Sequence, residues 1–331
     1  MRGSAGRTEA GSGAALWRRP RASLRPVAIL LFAVLVAIIA TVGAAYSGNA
    51  ATAANDGKIV AVGAESQYAD VIAQVGGKYV QAAALMSNPN TDPHTFEASI
   101  AVAREVGSAQ LVVQNGLGYD SFMDSIESAT PNRGRTVVNV QRLLKLPDST
   151  PNPHLWYDPA TMPRVAGAVA AALSAIQPSH AAYFRANATA FGASLKPLTD
   201  AIASFKAAYA GTPVATTEPV ADYLLTALGA DNLTPWTFQA DIMNGVDPSP
   251  QNVAAQRALF TEHKVKVFLY NQQVTDSLTQ SFINLAEQNH IPVVGVYETM
   301  PEPGYDYQTW MRAEVQALRQ AIAAKVSTEH L

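Results

Sequence analysis

One pattern limits the folds open to this chain. Short β-rich runs alternate with helical stretches, the alternation stops once, and then it resumes. The first strand-like runs are Lys58–Gly63, Tyr79–Leu85, Leu111–Gln114 and Thr136–Val140, with helical stretches between them at Gln67–Val75, Ala98–Val106 and Tyr119–Ser128. That spacing predicts an α/β unit with a mainly parallel sheet flanked by helices. From Ser179 to Tyr209 no strand interrupts. Tyr183, Asn187, Phe191, Leu195, Leu198, Ile202, Phe205 and Tyr209 recur at steps of three and four, the helical period. Such a helix runs about 45 Å, too long for a crossover in a small domain. Pro197 inside it should kink or split it, because proline offers no N–H and its ring meets the preceding turn. Strand-like runs then return at Pro213–Thr217, Lys266–Tyr270 and Pro292–Tyr297, with a less regular one near Asp231–Trp236. Helical stretches follow at Val220–Leu228, Gln251–Glu262, Ser277–Gln288 and Tyr307–Ala324. The expected fold is α/β, two lobes each with a mainly parallel sheet flanked by helices, joined by one long rigid helix. The boundaries expected are 56–177 for the N-terminal lobe, 178–210 for the linker helix and 211–331 for the C-terminal lobe.

Residues 1–53 stand apart. They hold six Arg against Glu9 alone, a net of +5, which leaves 17 basic and 25 acidic residues, or −8, in the other 278. Within them VAILLFAVLVAIIATVGAAY, residues 27–46, is an uncharged apolar run behind an Arg-rich lead, the pattern of a secretory signal. The run is also long enough to span a bilayer, so it reads as a cleaved signal or a retained anchor. Ala51 and Ala53 suit a signal peptidase, and the leading Arg residues keep that end in the cytoplasm and send the body outward. The acidic body has no basic stripe to neutralise phosphates, so nucleic acid is not expected as a partner. The chain has no Cys. That excludes a disulfide scaffold, a thiolate zinc site, a Cys nucleophile and a lipid-modified N-terminal Cys. Any metal site must use His, Asp and Glu.

Ligands of open α/β sheets bind at the carboxyl ends of strands. The polar residues there are informative. Past Tyr79–Leu85 comes Asn90-Thr91-Asp92-Pro93-His94-Thr95-Phe96-Glu97. Past Thr136–Val140 a loop ends Asn152-Pro153-His154-Leu155-Trp156-Tyr157-Asp158. Past Pro213–Thr217 comes Glu218, and past Pro292–Tyr297 comes Glu298. Two His and two carboxylates thus occupy equivalent positions, two in each lobe. Each His follows a Pro, which stiffens its loop. Neutral imidazole suits transition ions, and carboxylates suit harder ones such as Mn²⁺. Singly, each residue has a plainer reading: a loop His is usually solvated, and Glu218 and Glu298 sit where a helix dipole favours negative charge. His180, His263, His290 and His330 read as surface or capping residues.

The stretch KIVAVGAESQYADVIAQVGGKYVQAAALMSNPNTDPHTFEAS, followed by AQLVVQNGLGYDSFMDSI, resembles the metal-ion (zinc/manganese) solute-binding proteins of ABC transporters. Asp-Pro-His-Thr-Phe-Glu and Asn115-Gly116-Leu117-Gly118 carry most of the likeness. NPHLWYDP resembles the family's second His motif, and QPSHAAYFRANATAFGASLKPL its linker helix. The resemblance implies one ion, Mn²⁺ or Zn²⁺, held between two lobes and passed to an ABC permease by an exported monomer. The membrane surface would be a further partner if the N-terminal segment stays uncleaved. The resemblance also implies ligands: His94 first, His154 second and Glu218 third. For the fourth, the family has an Asp. Val296-Tyr297-Glu298-Thr299 aligns best, so Glu298 takes its place, with Asp306 as the runner-up. Asp92 and Glu97 flank His94 as residues that could orient its ring. Two imidazoles and two carboxylates favour Mn²⁺ by hardness, whereas Zn²⁺ binds such sites tightly in vitro. The alternatives are a metal-dependent hydrolase with the same ligands, or a surface adhesin that needs only the fold. Four protein ligands leave little room for the bound water a hydrolase requires.

Overall fold

The computed structural model describes residues 57–331 apart from Thr91, Asp92, His94, Thr95, Glu302 and Pro303. The expected export segment lies outside the described residues. Two four-stranded sheets, each parallel throughout, organise the chain. The first is built from β1 (Ile59–Glu65), β2 (Val80–Met86), β3 (Leu111–Gln114) and β4 (Thr136–Asn139). Its crossovers carry α1 (Ser66–Gly76), α2 (Ile100–Ser108) and α3 (Phe122–Ala129), and α4 (Val140–Leu144) and α5 (Thr161–Ile176) follow it. β3 is buried along its whole length, as a strand covered by helices on both faces must be.

The connection between the sheets is helical but not unbroken. It divides into α6 (Ala181–Ser194) and α7 (Lys196–Tyr209), with Leu195 between them. Pro197 sits in the first turn of α7, the one place in a helix where its missing N–H costs nothing. The rod therefore splits where the proline demands. The second sheet is built from β5 (Pro213–Thr216), β6 (Asp231–Asn232), β7 (Val267–Asn271) and β8 (Val293–Val296). It is interleaved with α8 (Asp222–Leu228), α9 (Trp236–Met243), α10 (Pro250–Thr261) and α11 (Ser277–Gln288), and α12 (Tyr307–Ala324) completes it.

Both sheets have the same strand order: second, first, third, fourth. The chain leaves the first strand toward one side and then crosses to the other. Such a reversal opens a crevice at the carboxyl ends, here between β1 and β3 and again between β5 and β7. Gly63 lets α1 sit close to β1, since a Cβ there would lie 2.3 Å from the backbone nitrogen of Ala69.

The largest apolar cluster is shared by the two sheets. Ile59, Ala61 and Leu111 of the first and Val214, Leu269 and Val294 of the second belong to it, together with Phe191 of α6, Phe205 of α7 and Trp310 of α12. Tyr157, from the loop before α5, meets Trp310 edge-on at 5.7 Å. Beneath this contact Glu314 is buried. Its Oε1 accepts from Trp310 Nε1 at 3.1 Å and lies 3.2 Å from the Tyr157 hydroxyl. Burial raises its pKa to about 8, so it is mostly neutral at pH 7. An acid whose pKa rises on folding stabilises the fold fully below the ordinary carboxyl value. That contribution is lost as pH climbs through about 8. Thermal unfolding should therefore show the melting temperature falling between pH 5 and pH 8, and Glu314→Gln should flatten that fall. Parallel curves for the two proteins would place the proton elsewhere.

Candidate functional site

Glu298 is the hub of the polar residues at the mouth of the two sheets. It follows β8 and is fully buried. Its backbone N–H and that of Thr299 both donate to Gln273 Oε1, at 2.7 and 2.9 Å, which fixes the turn that aims the side chain. From the first lobe Tyr119 donates its hydroxyl to Glu298 Oε2 at 2.7 Å, and His154 Nε2 lies 3.3 Å from the same oxygen. From its own lobe Asn271, the last residue of β7, donates to Glu298 Oε1 at 2.7 Å. The same amide group donates to Glu218 Oε1 at 3.0 Å. Glu218 follows β5, and its loop is held by Thr217, whose hydroxyl accepts from the Asn271 N–H at 3.0 Å. His154 and Glu298 thus meet directly, and Glu218 joins them through Asn271 across the crevice between β5 and β7.

The orientation of His154 is set from behind. Asn152 Oδ1 lies 2.8 Å from Nδ1 and also accepts from the His154 backbone N–H at 3.0 Å. Asn152 donates its own amide to the Pro219 carbonyl at 2.7 Å, so its oxygen must face the ring. An oxygen there can only accept, which puts a proton on Nδ1. In the neutral ring the lone pair of Nε2 then points at the cleft, the state a cation requires. Trp156 and Tyr119 pack edge-on against the imidazole at 5.4 and 5.7 Å and stop it from turning.

The Asn115-Gly116-Leu117-Gly118 motif also has a physical role. Gly116, Leu117 and Gly118 all have positive φ, at 84°, 56° and 79°. This left-handed turn brings the N–H groups of Asn115 and Gly116 onto the Asp120 carboxylate, at 2.6 and 2.9 Å. Burial pushes Asp120 up to about 6, against the pull of those two bonds.

The residues expected from sequence are distributed as follows. His154, Glu218 and Glu298 are buried; His154 meets Glu298 directly, and Glu218 is linked to Glu298 only through Asn271. His94 and Asp92 lie outside the described residues. Glu97 is exposed. Asp306 caps α12: its side chain accepts from the Thr309 N–H at 2.7 Å, and Thr309 Oγ1 accepts from the Asp306 N–H at 3.0 Å. Its carboxylate is thus committed to a helix end. Among the described residues no three His, Asp or Glu side chains gather around one point. Sequence reading passed over Asn152, Asn271, Tyr119 and Gln273. Asn271 was within reach of the rule used for the others, since it ends a strand beside the crevice.

The profile of the family described as the periplasmic component A of a zinc-uptake complex matches residues 62–321. The chain belongs to this family. Among relatives of the zinc-uptake component A family, a manganese-binding lipoprotein, MntA, of Bacillus subtilis (strain 168) is 27% identical over 175 residues, 51% of this chain and 56% of that protein. The zinc-binding protein TroA of Treponema pallidum (strain Nichols) is 27% identical over 121 residues, 35% of this chain and 39% of that one. The matched parts thus span little more than half of these relatives, or less. Two solved structures share the fold. A Mn-bound periplasmic metal-binding protein from Candidatus Liberibacter asiaticus superposes with a TM-score of 0.65 at 19% identity, over 80% of this chain and all of that one. A crystal structure of ZnuA gives 0.66 at 18%, with the same coverage. The family's description is that of an uptake component rather than an enzyme.

Proposed function

We propose that this protein captures one divalent transition-metal ion, Mn²⁺ or Zn²⁺, outside the cytoplasm and hands it to an ABC permease. On this reading 56–177 and 211–331 are the two lobes, 178–210 is their connector, and residues 1–53 direct export. The ion is cargo. His154, Glu218 and Glu298 would hold it from the carboxyl ends of both sheets, with His94 as the remaining ligand. The observation that carries the reading is the buried His154–Glu298–Asn271–Glu218 chain, whose imidazole is oriented by Asn152. One imidazole nitrogen and two buried carboxylates, brought onto one ion, would make a donor set for a transition ion rather than for Mg²⁺ or an organic anion. The two relatives, a manganese-binding lipoprotein and a zinc-binding protein, support the same ion class.

Titration calorimetry with Mn²⁺ and with Zn²⁺ should give about one site per chain. Comparing Glu298→Ala with Asp306→Ala decides the fourth ligand. The first should weaken binding by more than roughly 100-fold, above the 10–100-fold usual for an outer-shell contact. The second should leave affinity intact and cost about 0.5–2 kcal/mol of stability through the lost cap. The opposite pattern would move the ligand to Asp306.

A further inference from the structure

One fully buried acid lies beside the cleft without belonging to the proposed ligand set. Glu65 is the last residue of β1, at the carboxyl edge of the first sheet. It alternates with Gly63, Ala61 and Ile59, so its side chain leaves the sheet on their face, where Tyr68, Tyr119 and Trp156 belong to the same core. Among the described residues neither carboxyl oxygen meets a hydrogen-bond donor in good geometry. An ionised carboxylate left that way is costly.

The β1–β3 register, Ala61 beside Leu111 through Gly63 beside Val113, brings Glu65 level with Asn115, whose N–H holds Asp120 at 2.6 Å, so the two acids flank the crevice of the first sheet as Glu218 and Asn271 flank that of the second. Both Asp120 oxygens already accept from backbone N–H groups. Two carboxylates can bond only with a proton between them. The two N–H bonds favour charge on Asp120, which leaves the proton on Glu65. Burial first, and then the charge of Asp120, raise Glu65 well above the ordinary carboxyl range, while its own backbone N–H opposes them weakly. The other titratable groups around the pair are Tyr68 of α1, Tyr119 of the same loop, Asp124 and Glu127 of α3, Glu298 across the cleft, and Tyr307 of α12 beyond Tyr68. The basic group nearby is His154, which packs against Tyr119 at 5.7 Å and lies 3.3 Å from Glu298, on the cleft side of Tyr119. Tyr119 joins the pair to the cleft: its hydroxyl bonds Glu298, and burial first, then the charge of Glu298, oppose its own ionisation.

We propose that Glu65 and Asp120 share one proton while the cleft holds no cation, and release it to solvent when a divalent ion binds at Glu298 on the far side of Tyr119. This rests on the ion-binding reading above. Two positive charges arriving in a poorly screened interior favour the ionised form of every nearby acid. The acid pair then makes binding weaken as pH falls, over and above the effect of the His ligands.

The test counts protons. Mn²⁺ is titrated into the full chain at pH 7 by calorimetry in buffers of different ionisation enthalpy, for the wild type and for Glu65→Gln. Protons released from the His ligands appear in both and cancel. The wild type should release roughly one proton more than Glu65→Gln, whose affinity should depend less steeply on pH. Asp120→Asn should lose the same proton, and it serves if Glu65→Gln fails to fold. Equal proton counts with binding intact would overturn the proposal. So would a Glu65→Gln protein that folds but no longer binds, since Glu65 would then be a ligand. A wild type that binds neither Mn²⁺ nor Zn²⁺ refutes the ion-binding reading instead.

Discussion

His154→Ala should abolish high-affinity ion binding, with a loss of roughly 100-fold or more. Removing only a partner that orients a ligating His typically costs 10–100-fold, and here the donor atom itself goes. The orienting partner supplies the graded comparison. Asn152→Ala leaves Nε2 in place but frees the ring to turn, so it should fall inside that 10–100-fold range. The ranking matters more than either value: alanine at 154 worst, alanine at 152 intermediate, wild type best. Calorimetry on folded variants reads it directly. Wild-type affinity in a folded His154→Ala protein would remove the imidazole from the site. Because His154 is fully buried, circular dichroism of the ion-free variant has to accompany the titration.

Trp156→Ala should be among the most destabilising single changes in the chain. The indole is fully buried, two residues beyond His154, and meets the rings of Tyr68, Tyr119, His154 and Tyr157. Emptying that space costs about 3–5 kcal/mol. For a body of this size that corresponds to a drop in melting temperature of roughly 10 °C. Trp156→Phe should recover most of the loss. The indole Nε1 has no hydrogen-bond partner among the described residues, so removing it gives up little. Equal losses in both variants would mean that this nitrogen, rather than the packing, holds the region together. The alanine variant should also weaken ion binding, because the wall behind the imidazole is gone.

Parallel strands were legible because strands buried on both faces read as short, uniformly apolar runs between polar turns. The split in the long helix was legible for an equally local reason, the single Pro197. Other features were hidden by competing signals. The helix Thr161–Ile176 went unread because its sequence, TMPRVAGAVAAALSAI, is apolar nearly all round and follows a loop rich in Pro and Asn. The fourth strand was read one residue too long. Asn139 ends it by turning to cap the next helix, its side chain accepting from Arg142 N–H at 3.0 Å. Gly63 looked like the end of the first strand, yet it is the point where α1 approaches. Glu65, two residues beyond, ends that strand and so occupies the kind of position that marks out Glu218 and Glu298. Asp306 directly precedes a helix already expected from Tyr307, so its capping role was within reach of the sequence. Asn152 and Asn271 could not be ranked in advance, because an amide shows its worth only when both of its partners are known.

The apolar cluster common to both sheets bears on how long a bound ion stays. If the lobes swung apart to free it, Tyr157 would come off Trp310, which it meets edge-on at 5.7 Å, and Tyr307 off Phe191 of the connecting helix, on which it stacks at 6.5 Å. Each ring exposes on the order of 150–250 Å² when uncovered, and at about 25 cal/mol per Å² several rings together make wide opening rare. Cargo exchange would then be governed by the loops at the strand ends rather than by the lobes as bodies. On the proposed reading, a carrier built this way would keep its ion for long in solution, and a membrane receptor would matter less as a destination than as the agent that loosens those loops.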